Sequence, residues 1–185
     1  MRRLLLALGS LFAVILPLQA SGEEKPNSLF VGLGYYFYTG DVEDKTNLDG
    51  AVNIEVAYTR SLHPNFAVRG GVGYFHDGRR DDDLRGYPLT VTALGVYPRG
   101  RVRLFAGLGL GVYFLEFDGR IDAARVKDAD TVWGGHVLIG TSVDVWSSLF
   151  VGLEAKYLLL DSASLSGREL DLDGVTVTTA VGFRF

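Results

Sequence analysis

With 185 residues and no cysteine, the chain is about one domain long, and neither a disulfide framework nor a lipid-anchored cysteine is available to it. A formal net charge of −4 gives no electrostatic reason to bind nucleic acid. Beyond the N-terminal segment no run has the unbroken apolar length of a membrane helix, and almost nothing repeats at helical spacing.

The N-terminus, MRRLLLALGSLFAVILPLQASGEE, places Arg2 and Arg3 before an apolar run from Leu4 to Leu18 and closes on small residues. That order is a secretory signal. Residues 1–20 are the expected signal peptide, with cleavage after Ala20 or alternatively after Gly22, and residues 23–185 are the expected mature domain. The run is short for a span of about 20 residues, and the polar Glu23-Glu24-Lys25-Pro26 follows it at once.

The mature chain reads as eight strands of period two. Leu29 to Gly40 sets Leu29, Val31, Leu33, Tyr35 and Phe37 against Gly32 and Gly34. AVNIEVAYTR sets Val52, Ile54, Val56 and Tyr58 against Asn53, Glu55, Ala57 and Thr59. FAVRGGVGYF opposes Phe66, Val68, Val72 and Tyr74 to Ala67, Arg69, Gly71 and Gly73. From Tyr87 to Tyr97, Leu89, Val91 and Ala93 face away from Thr90 and Thr92, while Leu94 and Val96 blur the pattern. RVRLFAGLGLGVYF alternates cleanly, with Arg103, Phe105, Gly107, Gly109 and Gly111 on its less apolar side. Thr131 to Val145 carries Gly134, His136, Gly140, Ser142 and Asp144 on that side. LFVGLEAKYLLL carries Gly152, Glu154 and Lys156 there, and VTVTTAVGFRF carries Thr176, Thr178, Ala180, Gly182 and Arg184.

The connections alternate between long and short. TGDVEDKTNLDG, HDGRRDDDLRG, EFDGRIDAARVKDAD and DSASLSGRELDLDG are long and charged, whereas LHPN, PRG and WSS are tight turns. An even strand number with long loops at one end and short turns at the other is the pattern of bacterial outer-membrane barrels. A soluble barrel of the lipocalin type would hide its large apolar residues and show water a charged exterior. Here the less apolar face is rich in Gly, Ala, Thr and Ser, which suits the narrow interior of eight strands. The opposite face is aliphatic over an area no soluble monomer tolerates. Aromatic residues gather at strand ends: Tyr35, Phe37, Tyr74, Tyr87, Phe114, Trp133 and Tyr157 toward the long loops, and Tyr58, Phe66, Tyr97, Phe183 and Phe185 toward the tight turns. Two such girdles mark the two membrane interfaces. The fold class expected is therefore all-β: an eight-stranded antiparallel up-and-down transmembrane barrel.

Over its whole mature length the chain resembles the small eight-stranded outer-membrane barrels typified by the OmpA transmembrane domain, OmpX and OmpW. The most specific element is the terminal VGFRF, in which Gly182, Phe183 and Phe185 are similar to the C-terminal signal read by the barrel assembly machinery. The resemblance implies location in the outer membrane after export through the periplasm, with lipid and lipopolysaccharide as neighbours and no cofactor. It also implies a structural or surface-interaction role, or alternatively a small pore or an OmpW-like channel for small or hydrophobic solutes. The sequence names no partner for the external loops.

Eight ionisable residues fall on the less apolar face: Glu55, Arg69, Arg103, His136, Asp144, Glu154, Lys156 and Arg184. Charges in a narrow bore need partners, so they are expected to form a network that plugs the lumen, or a gate whose pairs exchange to open an ion path. Some barrels of this size are lipid A deacylases or acyltransferases, which need a serine activated by histidine. His63, His76 and His136 show no such arrangement with a nearby serine, and His76-Asp77 would need loop convergence with Ser164 or Ser166. No catalytic residue is assigned. GLGLG, Gly107 to Gly111, lacks the helix and spacing of a dinucleotide site. Asp77 with Asp81, Asp82 and Asp83 lacks EF-hand spacing, and no metal site is assigned. In the same loop Arg79, Arg80 and Arg85 are positioned to meet lipopolysaccharide phosphates, although a solvated mixed-charge loop is the plainer reading.

Overall fold

The computed structural model describes residues 25–39, 50–79, 82–121, 124–161, 163–165, 168–170 and 172–185. The expected signal peptide, residues 1–20, and the alternative cleavage point lie outside them. Seven strands run in sequence: β1 (Asn27–Tyr38), β2 (Ala51–His63), β3 (Phe66–Arg79), β4 (Asp82–Arg99), β5 (Val102–Ile121), β6 (Ala124–Asp144) and β7 (Leu149–Leu160). A small hairpin, β8 (Ala163–Leu165) and β9 (Arg168–Leu170), precedes the last strand, β10 (Gly174–Arg184). The order around the closed barrel is β1-β10-β7-β6-β5-β4-β3-β2. The closing seam is antiparallel and pairs every residue from Ser28–Arg184 to Tyr38–Gly174.

Alternation decides the sidedness. Leu108, Leu110 and Ile139 expose 67, 71 and 66% of their surface on the outside of the barrel. Their neighbours Gly107, Gly109 and Gly140 turn inward, because successive side chains point to opposite faces. Exposed Leu33, Ile54, Val91, Val137, Leu153 and Val181 continue the same belt around the wall. Tight turns join the strands at one end; in the β4–β5 turn, Gly100 adopts a φ of +63°, a conformation that glycine reaches without steric penalty.

Two sequence expectations need correction. HDGRRDDDLRG and EFDGRIDAARVKDAD are not simple loops. In the first, β3 and β4 stay paired as far as Arg79–Asp82, and in the second β5 and β6 stay paired as far as Ile121–Ala124. At 20 residues, β5 exceeds the roughly 9–11 needed to cross a membrane, so a β-sheet continues beyond the belt. The inner face is also less uniformly small than expected. Phe30, Tyr36, Phe75, Tyr113, Phe117 and Phe150 are buried, and the Leu94 that blurred the fourth strand packs inward with Ala67 and Leu138.

Small and large inner residues are matched across the strands. Phe75 faces Gly86, Phe105 and His136 face Gly140 and Gly109, and Phe150 faces Gly182. A Cβ added to Gly140 would come within 2.4 Å of the Phe105 ring. The bore is filled by rings lying over glycines, as close packing demands.

Candidate functional site in the barrel bore

Period-two strands aim four charges from three strands at one level of the bore. β2 supplies Glu55, β3 Arg69, and β7 both Glu154 and Lys156; all four are buried. Lys156 Nζ donates to Glu55 Oε2 at 2.8 Å and lies 3.6 Å from Glu154 Oε1. The other oxygen of Glu154 accepts from the Arg69 guanidinium. Arg69 Nε also donates to Thr59 Oγ1 at 3.2 Å, and its guanidinium lies between the rings of Phe30 and Phe105, 4.8 and 5.2 Å from their centroids. Two cations and two carboxylates alternate in a chain, so none is left as an isolated buried charge.

His136 sits beside this tetrad, its Nε2 2.9 Å from Thr92 Oγ1. The remaining three charges form a second cluster nearer the tight turns. Arg184 is ion-paired with Asp144, donates from Nη2 to Ser142 Oγ at 2.9 Å, and stacks on Phe150 at 4.1 Å. Arg103 Nε stands 4.0 Å from the same Asp144. The eight ionisable residues singled out in the sequence thus divide into a balanced tetrad with a histidine neighbour and a turn-side triad.

Above the tetrad the bore holds a cluster of apolar packing. Tyr36, Phe75, Leu84, Tyr113, Leu115, Phe117, Val132 and Leu158 form one buried cluster with Leu172, whose carbonyl accepts the Tyr36 hydroxyl. Two cavities lie among the described residues of the bore. One, about 70 Å³, lies on the turn side and reaches Arg69, Arg103, Glu154 and Arg184. The other, about 40 Å³, lies on the loop side and reaches Glu55, Lys156 and Tyr113. The tetrad stands between them.

Sequence reasoning found the charges but not the cap or the ring supports of the arginines. The signal was present: Phe30, Tyr36 and Phe150 share strand parity with Gly32, Gly34 and Gly152.

The external groups singled out in the sequence are only partly described. Asp77 is buried and accepts from the Gly50 N–H at 3.2 Å. Among the described residues no group of acidic or histidine side chains is placed to hold a metal ion. His76 Nε2 lies 3.3 Å from Asp83 Oδ1; the side chains of Ser164 and Ser166 lie outside the described residues, as do those of Arg79, Arg80, Asp81 and Asp82. Arg85 donates to Asp83 at 2.7 Å, a hydrogen bond that pushes its guanidinium further above its ordinary value. At the opposite end Gly182 lies inward under Phe150, while Phe183 and Phe185 are exposed on the outer face with ring centroids 6.2 Å apart.

The family described as outer membrane protein beta-barrel domain matches residues 4–185 of the chain. The chain belongs to this family. As an outer membrane beta-barrel protein it resides in the outer membrane of the Gram-negative envelope, which accounts for its exposed aliphatic belt. Solved structures share the fold. Neisserial surface protein A is 10% identical, with 89% of this chain and 100% of that one covered and a TM-score of 0.71. OprG from Pseudomonas aeruginosa is 13% identical, with 90 and 99% covered and a TM-score of 0.63. Ail, the attachment invasion locus protein of Yersinia pestis, is 16% identical, with 88 and 99% covered and a TM-score of 0.60. No curated protein matches the chain.

Proposed function

We propose that this outer membrane barrel is a non-conducting scaffold with a structural or surface-interaction role, and that its working surface is the sheet extended beyond the membrane. The observation that carries the reading is the interruption of the bore by the Glu55–Lys156–Glu154–Arg69 chain beneath an aromatic cap. An ion crossing here would have to break charge-assisted hydrogen bonds between buried side chains. The reading contains no catalytic step. Lipopolysaccharide and the barrel assembly machinery belong to it as neighbours, the second through Gly182, Phe183 and Phe185. Its test is solute flux: proteoliposomes carrying the folded barrel should swell in isosmotic arabinose no faster than empty ones, and porin-like swelling would overturn it.

A second reading, an OmpW-like channel for hydrophobic solutes, is favoured by one local feature. Between β3 and β4 the ladder stops after Val72–Leu89 and resumes at Phe75–Gly86. Pro88 has no N–H to donate across that interval, and Gly73 admits its ring, since a Cβ there would lie 2.9 Å from Pro88 Cγ. The loop-side cavity reaches Val72, Gly73, Tyr74 and Pro88 from within, and Tyr74 and Tyr87 close over the seam outside, 5.3 Å apart. On this reading Pro88→Val abolishes uptake of a hydrophobic solute by cells expressing the barrel; unchanged uptake rejects it.

A further inference from the structure

We infer that the turn-side cavity is a binding site for a small inorganic oxyanion, reached from the periplasm and held between Arg103 and Arg184. The charges of the tetrad and the triad do not cancel. Four cations (Arg69, Arg103, Lys156, Arg184) face three carboxylates (Glu55, Asp144, Glu154), and the tetrad is internally neutral; the other buried carboxylate, Asp77, lies toward the loop end, where it accepts from the Gly50 N–H. The surplus therefore falls on the turn-side triad, where two arginines share Asp144. They do not share it equally. Arg184 has the close ion pair, the Ser142 hydroxyl and the Phe150 ring.

Arg103 has only the 4.0 Å approach of its Nε to the carboxylate, too long for a hydrogen bond. Among the described residues no other partner of its guanidinium is found. A guanidinium carries five N–H donors in a fixed fork that suits an oxyanion, and this one is about one-third exposed, at 34%. It lines a cavity of about 70 Å³ together with Arg184, Arg69, Ser28, Ser61 and Ser142, and with one carboxylate, that of Glu154, which is already held by Arg69. That volume exceeds what one water needs, roughly 10–15 Å³, and admits a tetrahedral anion. The site is approached from the periplasmic side, and Arg69 and Glu154 of the tetrad form its inner wall.

The test is a sulfate titration of the folded barrel in nanodiscs, at constant ionic strength made up with gluconate and followed by amide and Arg Nε resonances. Saturable shifts are expected at Ser28, Ser142 and Arg103. Arg103→Gln, which keeps the tetrad intact, should weaken binding at least about ten-fold, the loss of one charge-assisted contact. Asp144→Asn should tighten it by raising the local surplus. The heat-dependent gel shift of each variant reports whether it is folded. Linear, non-saturating shifts in the wild type, or equal affinity in folded Arg103→Gln, would overturn the assignment. Should Asp144→Asn fail to fold, Arg103→Lys supplies the second arm: it keeps the charge without the fork and is expected to bind with intermediate affinity, whereas wild-type affinity there rejects bidentate capture.

Discussion

Lys156 and Glu55 stand on strands far apart in sequence, yet the ammonium of one meets the carboxylate of the other at 2.8 Å in the middle of the bore. The same ammonium lies 3.6 Å from Glu154, so Lys156 is the hinge of the tetrad. Removing it leaves Glu154 with Arg69 and takes from Glu55 the ammonium it is paired with. Lys156→Met is predicted to destabilise the barrel by roughly 3–5 kcal/mol, the usual consequence of orphaning buried charge. Urea unfolding followed by tryptophan fluorescence measures this. Glu55→Gln in the Lys156→Met background should lower stability by less than it does alone, because the two residues belong to one interaction.

The outward belt gives a depth-dependent prediction. Leu108 lies near the centre of β5 and is 67% exposed, whereas Val102 begins that strand beside the tight turn. Leu108→Arg should cost roughly 2–4 kcal/mol in lipid and Val102→Arg roughly 0–1, because the penalty falls toward the interface. Equal costs at the two positions would contradict the assigned sidedness.

Glycines on the two faces, Gly140 inside and Gly70 outside, separate packing from propensity. At Gly140 a new Cβ would meet the Phe105 ring at 2.4 Å and the Leu153 carbonyl at 2.8 Å, while at Gly70 nothing lies within 4 Å. Gly140→Ala is predicted to lower stability by about 1–3 kcal/mol through overpacking. Gly70→Ala should change it by less than about 0.5 kcal/mol. Part of the loss at Gly140 should be recovered with Phe105→Leu, which removes the clashing ring but leaves the carbonyl contact.

Much of this architecture was legible in the residues because a strand has only two faces. Once Leu29, Val31 and Leu33 were set to one side, Gly32 and Gly34 had to take the other, and the same parity carried Glu55, Arg69, Glu154 and Lys156 inward. Parity does not tell where a strand stops. HDGRRDDDLRG and EFDGRIDAARVKDAD are polar enough to read as loops, but their paired edges, Arg79–Asp82 and Ile121–Ala124, belong to a sheet in water, where charge is no obstacle to pairing. Nor does parity tell which charge meets which. That depends on the stagger of strands around the barrel, which brings Lys156 of β7 to Glu55 of β2 and leaves Arg103 at the edge of Asp144's reach.

The terminal residues allow a test of biogenesis. Phe185 is 51% exposed on the outer face, and its backbone pairs with Asn27 in both directions. A phenyl ring there contributes little to the bore, so its replacement isolates the proposed signalling role. Phe185→Ala should reduce the heat-modifiable, folded form in outer-membrane fractions while the purified variant refolds in detergent as well as wild type does. An equal loss in both settings would assign Phe185 to stability instead.

Closure of the bore by the Arg69–Glu154–Lys156–Glu55 chain and its aromatic cap is tested most directly by planar-bilayer recording of the purified wild-type barrel. The folded protein is expected to insert without giving repeatable unitary currents. Reproducible single-channel steps from the wild-type protein would contradict it.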